Sequence, residues 1–261
     1  MVRVLLHDLD GDGGDLDAQW EMLTAAVAIQ APELVVLPEM PFSPWLPATS
    51  EVDADAWREA VELHERWMRR LGELRAEVVV TTRPVGRDGD RGNEGVVWLR
   101  DSGVVAARRK AYLPDEAGFH EATWYRRGPA RFDPVTTPLG TVAVMICTEL
   151  WFPEHARELG RAGVHLLCVP RATPVSSVER WEAGARVLAT IAGAYVLSVN
   201  RGGRAGPTAF DGGSTLVDPE GTVLARTTVQ QPTAVATLDL AAVDRARTSY
   251  PRYVQDGGEN R

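Results

Sequence analysis

The chain has 261 residues, 44% of them hydrophobic and 25% charged, which is enough apolar material for a large core and unlike a disordered chain. Its 36 acidic residues outnumber 28 Lys and Arg, and the resulting net charge of −8 argues against a nucleic acid or an anionic membrane surface as partner. Two cysteines are too few for a disulfide scaffold, no stretch approaches the roughly 20 apolar residues of a membrane span, and the first apolar run meets Asp8 and Asp10 at once instead of forming a signal peptide, so a soluble cytoplasmic protein is expected.

Strand-like and helix-like patterns alternate along the chain. VRVLL (2–6) and LVVL (34–37) are short apolar runs, and Leu16, Trp20, Leu23 and Val27 recur between them at helical spacing. A second amphipathic pattern runs through Trp57, Val61, His64, Met68, Leu71 and Leu74. VVVTT (78–82), GVVWL (95–99) and GVVAARRKAY (103–112) follow, with Arg100, Asp101 and Ser102 suiting a hairpin between the last two. TVAVMI (141–146) is a buried type of strand, and 152–163 is a short helix with Pro153 near its start and Gly163 after its end. VHLLCV (164–169), a helical pattern over 177–193 and YVLSV (195–199) continue the alternation. STLV (214–217), TVLA (222–225) and AVATLDL (234–240) predict a hairpin and edge strands, and the polar residues from Ala241 predict an extended tail. The order predicts an α/β domain over 1–261, with sheets covered by helices and antiparallel pairs mixed in.

Three segments carry chemistry. Cys147 lies where a buried strand gives way to a turn and a helix, so backbone N–H groups and the helix dipole are expected to lower its pKa, and the Thr148 N–H is an oxyanion donor. Glu39 is presented at a strand end by LVVLPEM, and Lys110 stands among apolar and aromatic neighbours in RRKAYLP. A buried glutamate can serve as base for the thiol, and a lysine beside it keeps the carboxylate ionised and stabilises an oxyanion. Cys168, in the middle of VHLLCVP, reads as a structural thiol.

These segments resemble the nitrilase superfamily of carbon–nitrogen hydrolases, whose catalytic set is Glu, Lys and Cys in that order. LPE at Glu39, RKAYLP at Lys110 and the elbow at Cys147 carry the likeness, and PDEAGFHE places the family's second glutamate at Glu121. GAYVLSVNRGG, FDGGSTLVDPEGTVLA and LDLAAV resemble later family segments, so the likeness extends to about residue 250. It implies an αββα four-layer sandwich of two mixed sheets. It also implies hydrolysis, with no cofactor and no metal, of a small carboxamide or N-carbamoyl amine by water through a Cys147 thioester. Glu39 is then the base, Lys110 and the Thr148 N–H hold the oxyanion, and Glu121 orients the substrate. A homodimer or higher homo-oligomer is implied, packed through the helices at 153–162 and 177–193 with the tail at 241–261 crossing to the partner.

The departures bear on the substrate. Thr148 and Glu149 follow the cysteine where an aromatic residue or Asn, then Asp, is usual. Leu150 and Trp151 occupy the places of the arginines that hold a substrate carboxylate in N-carbamoyl-amino-acid hydrolases, and Ile191-Ala192 replaces a Glu-Asn pair. Arg171 is either an anion-binding residue or a solvated arginine at a strand end. Trp45, Trp124 and Trp151 are substrate-tail contacts or buried loop anchors, Glu149 remains a carboxylate near the thiol, and His120 stands next to Glu121 near the site mouth. DLDGDGGDLDAQ (8–19) opens like a Ca²⁺ loop but ends in Gln19 where a bidentate Glu belongs, so it reads as a surface loop. Nitrile hydrolysis by the same residues, a non-catalytic binding or regulatory member of the fold, and an amidase that feeds ammonia to a separate synthetase are the competing functions.

Overall fold

The structure is a computed structural model that describes residues 1–86, 89–210 and 212–254. In chain order its elements are β1 (Val2–His7), α1 (Leu16–Gln30), β2 (Leu34–Val36), α2 (Ala54–Met68), β3 (Val78–Val85), β4 (Gly92–Leu99) and β5 (Gly103–Arg109). There follow α3 (Glu121–Trp124), β6 (Val135–Thr137), β7 (Gly140–Val144), α4 (Pro153–Arg161), β8 (Leu166–Arg171), α5 (Val178–Ala192) and β9 (Tyr195–Asn200). The last are β10 (Arg204–Ala205), β11 (Thr208–Ala209), β12 (Thr215–Val217), β13 (Val223–Arg226), β14 (Thr233–Leu238) and α6 (Ala241–Arg247).

Two mixed sheets form the centre, in the orders β14-β1-β2-β3-β4-β5 and β13-β12-β9-β8-β7-β6. Each has three parallel strands, β1 to β3 or β7 to β9, an antiparallel hairpin on one side and a single antiparallel strand on the other. The two sheets therefore share one strand arrangement, which no repeat in the sequence announces, although the single edge strand is the last of the chain (β14) in one and directly precedes the parallel strands (β6) in the other. Alternation along β1 explains the layering. Val2, Val4 and Leu6 join Val142, Val144 and Leu166 in the core between the sheets, whereas Leu5 faces outward to Trp20, Leu23 and Val27 of α1. Burying each such side chain contributes about 1.5–3 kcal/mol. The helices α1 and α2 cover one outer face and α4 and α5 the other, which completes four αββα layers.

Local chemistry sets the helix ends. The Asp15 carboxylate accepts from the Asp17 and Ala18 N–H groups at the start of α1, and Asp53 does the same for Asp55 and Ala56 at α2. The second amphipathic pattern stops sooner than its spacing predicts, because α2 ends at Met68 and Leu71–Leu74 is a separate 3₁₀ turn. The strand predicted through Tyr112 ends at Arg109, although the Lys110 N–H still donates to the Asn93 carbonyl at 2.8 Å. The predicted tail folds back through residue 254. Val243 and Ala246 of α6 are buried, and the Arg252 guanidinium donates to the Thr190 carbonyl at 2.9 Å, so apolar burial and a guanidinium clamp replace the solvated extension expected from composition. The rest of the predicted tail, 255–261, lies outside the described residues.

The sheets pack closely at Gly95. A Cβ there would stand 2.9 Å from Val144 Cγ1 and 3.2 Å from Ile146 Cδ1. That contact lets residues at the end of the β4–β5 hairpin reach the turn after β7.

Candidate active site

Three loops at strand ends converge. Glu39 follows β2, Lys110 follows β5, and Cys147 opens a 3₁₀ turn, Cys147–Trp151, after β7. Glu39 and Lys110 are fully buried and Cys147 is 3% exposed. Lys110 Nζ donates to Glu39 Oε1 at 2.9 Å and to the Glu121 carboxylate at 2.8 and 2.6 Å, so one ammonium ties two carboxylates together. Asn93 Nδ2 also donates to Glu39 Oε1, at 2.6 Å, whereas Glu39 Oε2 is buried without a protein partner. The Cys147 thiol lies 3.8 Å from the Ala172 carbonyl, a weak S–H contact.

The backbone is strained at both reacting loops. Cys147 has φ 47° and Met40, directly after Glu39, has φ 49°, left-handed values that are costly for side chains with a Cβ. Tertiary contacts hold the loop at Met40. Arg201 donates to the Glu39 carbonyl at 3.1 Å and the Ser43 carbonyl at 2.9 Å, and it pairs with Asp12 at 2.8 Å. Met40 N–H donates to Thr82 Oγ1 at 2.7 Å. The acidic segment 8–19 is a surface loop only in part: Gly13 and Asp15 are exposed and Leu16–Gln19 belong to α1, but its start is packed inside. Asp8 is buried, and Asp12 holds Arg201 and the Trp45 N–H because the Glu39 loop packs on top of it.

Burial dominates the electrostatics. It pushes the Cys147 thiol well up, with the Glu39 charge adding and Lys110 opposing. This reverses the lowering expected from the helix dipole: a single 3₁₀ turn follows the cysteine, and desolvation outweighs it. The thiol is therefore neutral at rest and needs a base. Burial would lower the Lys110 ammonium, but the Glu121 and Glu39 charges overcome it and keep the lysine cationic. Burial raises the Glu121 carboxyl to about 8 against the pull of Lys110.

The other candidates divide. Glu149 does not face a ligand space. Its carboxylate accepts from Ala111 N–H at 2.7 Å, Ile146 N–H at 2.6 Å and the Arg108 guanidinium at 2.5 and 2.8 Å. Arg171 is neither solvated nor free. It is buried, donates to Ser198 Oγ at 3.0 Å and the Gly213 carbonyl at 2.5 Å, and lies over the Trp181 ring. Burial lowers its pKa to about 10. Trp151 is 41% exposed and packs edge-on to Trp181 of α5, on the helical side of its sheet. Trp45 and Trp124 are buried anchors whose indole N–H groups donate to the Gly118 and Thr49 carbonyls at 3.0 and 2.7 Å. They also line, with Leu46, Val52, His120 and Pro207, a cavity of about 1230 Å³. None of Glu39, Lys110 and Cys147 lines it, but His120 does, and the next residue, Glu121, reaches Lys110. The His120 ring meets Asp115 Oδ1 at 3.1 Å.

Nothing local in the sequence marks Arg108 or Arg201 as part of the site. For Asn93 a signal existed. Alternation in β4 puts it on the same face as Gly95 and Val97, which look into the space between the sheets, where an amide must find partners.

Residues 15–248 match the carbon–nitrogen hydrolase family. The chain is 34% identical over 163 residues to the deaminated glutathione amidase of Mus musculus, covering 59% of this chain and 50% of that protein. It is 32% identical over 248 residues to the chloroplastic omega-amidase of Arabidopsis thaliana, covering 89% and 65%. The chain thus spans about half to two thirds of the length of these relatives. Its fold matches a crystal structure of a carbon–nitrogen hydrolase from Helicobacter pylori with a TM-score of 0.87 at 22% identity, over 96% of this chain and 94% of that one.

Proposed function

We propose that this chain, which belongs to the carbon–nitrogen hydrolase family, hydrolyses the C–N bond of a small carboxamide or N-carbamoyl amine through a thioester on Cys147. The observation that carries this reading is the arrangement of Glu39. One of its oxygens is held by Lys110 and Asn93, and the other is buried with no protein partner, in the same buried pocket as the Cys147 thiol, whose pKa burial raises.

In this reading Cys147 Sγ attacks the carbonyl carbon while Glu39 Oε2 takes the thiol proton. The carbonyl oxygen becomes an oxyanion, stabilised by Lys110 Nζ and by the Thr148 N–H, which lies in the first turn of the 3₁₀ segment and is free of an intrahelical partner by geometry. Collapse of the adduct expels the nitrogen, to which Glu39 returns the proton, and ammonia or an amine departs. Water then attacks the thioester, giving its proton to Glu39, and the thiolate is reprotonated as the acyl product leaves. Glu121 and Glu39 together hold Lys110 cationic, so its charge is present from the start of the reaction and costs no reorganisation.

Ammonia release from a panel of carboxamides, N-carbamoyl amines and nitriles tests the proposal, with Cys147→Ala as control. Release that disappears in the variant supports the thioester route and ranks the substrate classes. No release from any compound, together with a Cys147 inert to iodoacetamide, would overturn it in favour of a non-catalytic member of the fold.

A further inference from the structure

Asn93 touches the base Glu39 and its lysine partner, and lies in none of the loops that carry Glu39, Lys110 and Cys147. Its backbone carbonyl accepts the Lys110 N–H at 2.8 Å, and its side-chain Nδ2 donates to Glu39 Oε1 at 2.6 Å. The amide orientation is forced, because a carboxylate oxygen only accepts and so the nitrogen must face Glu39. Asn93 Oδ1 is then left buried with no hydrogen-bond partner. A buried orphan acceptor costs stability, so this amide does not maximise the stability of the fold. What it achieves is to load Glu39 Oε1 with two donors, Asn93 Nδ2 and Lys110 Nζ, and leave Oε2 as the one oxygen able to accept a proton.

We propose that Asn93 is a positioning residue that fixes the rotation of the Glu39 carboxylate, so that Oε2 is the oxygen that takes the thiol proton. The inference rests on the function proposed above and adds a residue to it. The ammonium alone does not supply this fixation. Lys110 is shared with Glu121 and can pair with either oxygen of Glu39, whereas a planar amide on a strand approaches from one direction. Substitution at 93 leaves the backbone bond to Lys110 in place, so it isolates the side chain.

The test is the pH dependence of Cys147 alkylation by iodoacetamide, with kcat/KM for whichever amide the panel identifies, in wild type, Asn93→Asp and Asn93→Ala. Loss of the donor leaves Glu39 Oε1 with the Lys110 ammonium alone, so in Asn93→Ala the acid limb of the profile moves to higher pH and the rate on that limb falls about tenfold, the size of one charge-assisted hydrogen bond. Asn93→Asp keeps the shape and replaces the donor by a second carboxyl group. Its acid limb moves at least as far, because like charges at that separation disfavour ionisation. Asn93→Ala only removes atoms and carries the test if the aspartate variant does not fold. A folded variant with the wild-type profile would overturn the role of Asn93 while leaving the Glu39–Cys147 reading intact. A wild-type Cys147 that neither alkylates nor turns over would overturn both.

Discussion

Arg108 and Glu149 pair across the gap between the two sheets. Arg108 Nη2 lies 2.8 Å from Glu149 Oε1, and the guanidinium also stacks 4.1 Å from the Phe132 ring centre. Arg108 lies on the strand that leads to Lys110, and Glu149 in the turn that begins at Cys147. The same carboxylate accepts the N–H of Ala111, next to Lys110, and of Ile146, next to Cys147. One side chain thus fixes the separation of the ammonium from the thiol. The aspartate usual in the family is one carbon shorter, and here the longer side chain still reaches both sheets.

Glu149→Gln keeps the volume but turns one acceptor into a donor that faces backbone N–H groups. Breaking a buried pair by removing one partner costs about 3–5 kcal/mol. The variant is expected to unfold at markedly lower urea concentration and, where folded, to lose kcat more than KM. A wild-type midpoint together with wild-type kcat would remove Glu149 from this role.

Cys147→Ala is expected to abolish turnover with the fold intact, since the buried thiol makes only a weak contact with Ala172. Lys110→Ala is expected to lose about 10²–10³ in kcat, the size of one oxyanion donor. It also leaves Glu39 and Glu121 facing each other without their cation, so its unfolding midpoint falls as well. Unchanged kcat/KM in Lys110→Ala would exclude the lysine from the reaction.

Gly95→Val tests the close approach of the sheets. The added branch would press on Val144 and Ile146, the residues leading to Cys147, at 2.9 and 3.2 Å from the first carbon alone. Overpacking of this kind costs about 1–3 kcal/mol. Thermal unfolding measures it, and the alkylation rate of Cys147 reports whether the elbow has moved. A variant as stable and as reactive as wild type would show that the sheets can separate there freely.

His64 governs part of the acid response. Burial lowers its pKa from 6.5 to about 3, helped by the Arg201 and Arg83 charges and opposed by the Ala60 carbonyl, which its ring meets at 2.8 Å. The unfolded chain takes up that proton below pH 6.5, so this group destabilises the fold as pH falls from 6.5 towards 3. Between pH 7 and pH 5 the loss from His64 is about 2 kcal/mol. His7, lowered by burial to about 4, acts in the same direction. Asp8 and Glu121, raised by burial to about 7 and about 8, act oppositely and cost stability as pH rises. Comparing His64→Gln with wild type isolates the histidine. The difference in urea stability between pH 7 and pH 5 should shrink by about 2 kcal/mol in the variant. An unchanged difference would mean that the ring is charged in the fold.

By itself the sequence determined the alternating elements and the strand ends that carry Glu39, Lys110 and Cys147, because these are local signals. Periodicity marks a strand, a Pro or Gly marks its end, and the residue just past that end is presented to the same edge of a sheet. The tertiary structure alone decided which polar groups meet. Asn93 and Glu39 lie 54 residues apart, Arg108 and Glu149 lie 41 apart, and Arg201 and Asp12 lie 189 apart. No window of sequence relates such positions. They are brought together by the register of β3 on β4 and by the packing of one sheet on the other, where each buried charge or amide must find a partner. The same cause turned Glu149 and Arg171 from candidate ligand contacts into internal braces, and it made the Cys147 thiol harder, not easier, to ionise.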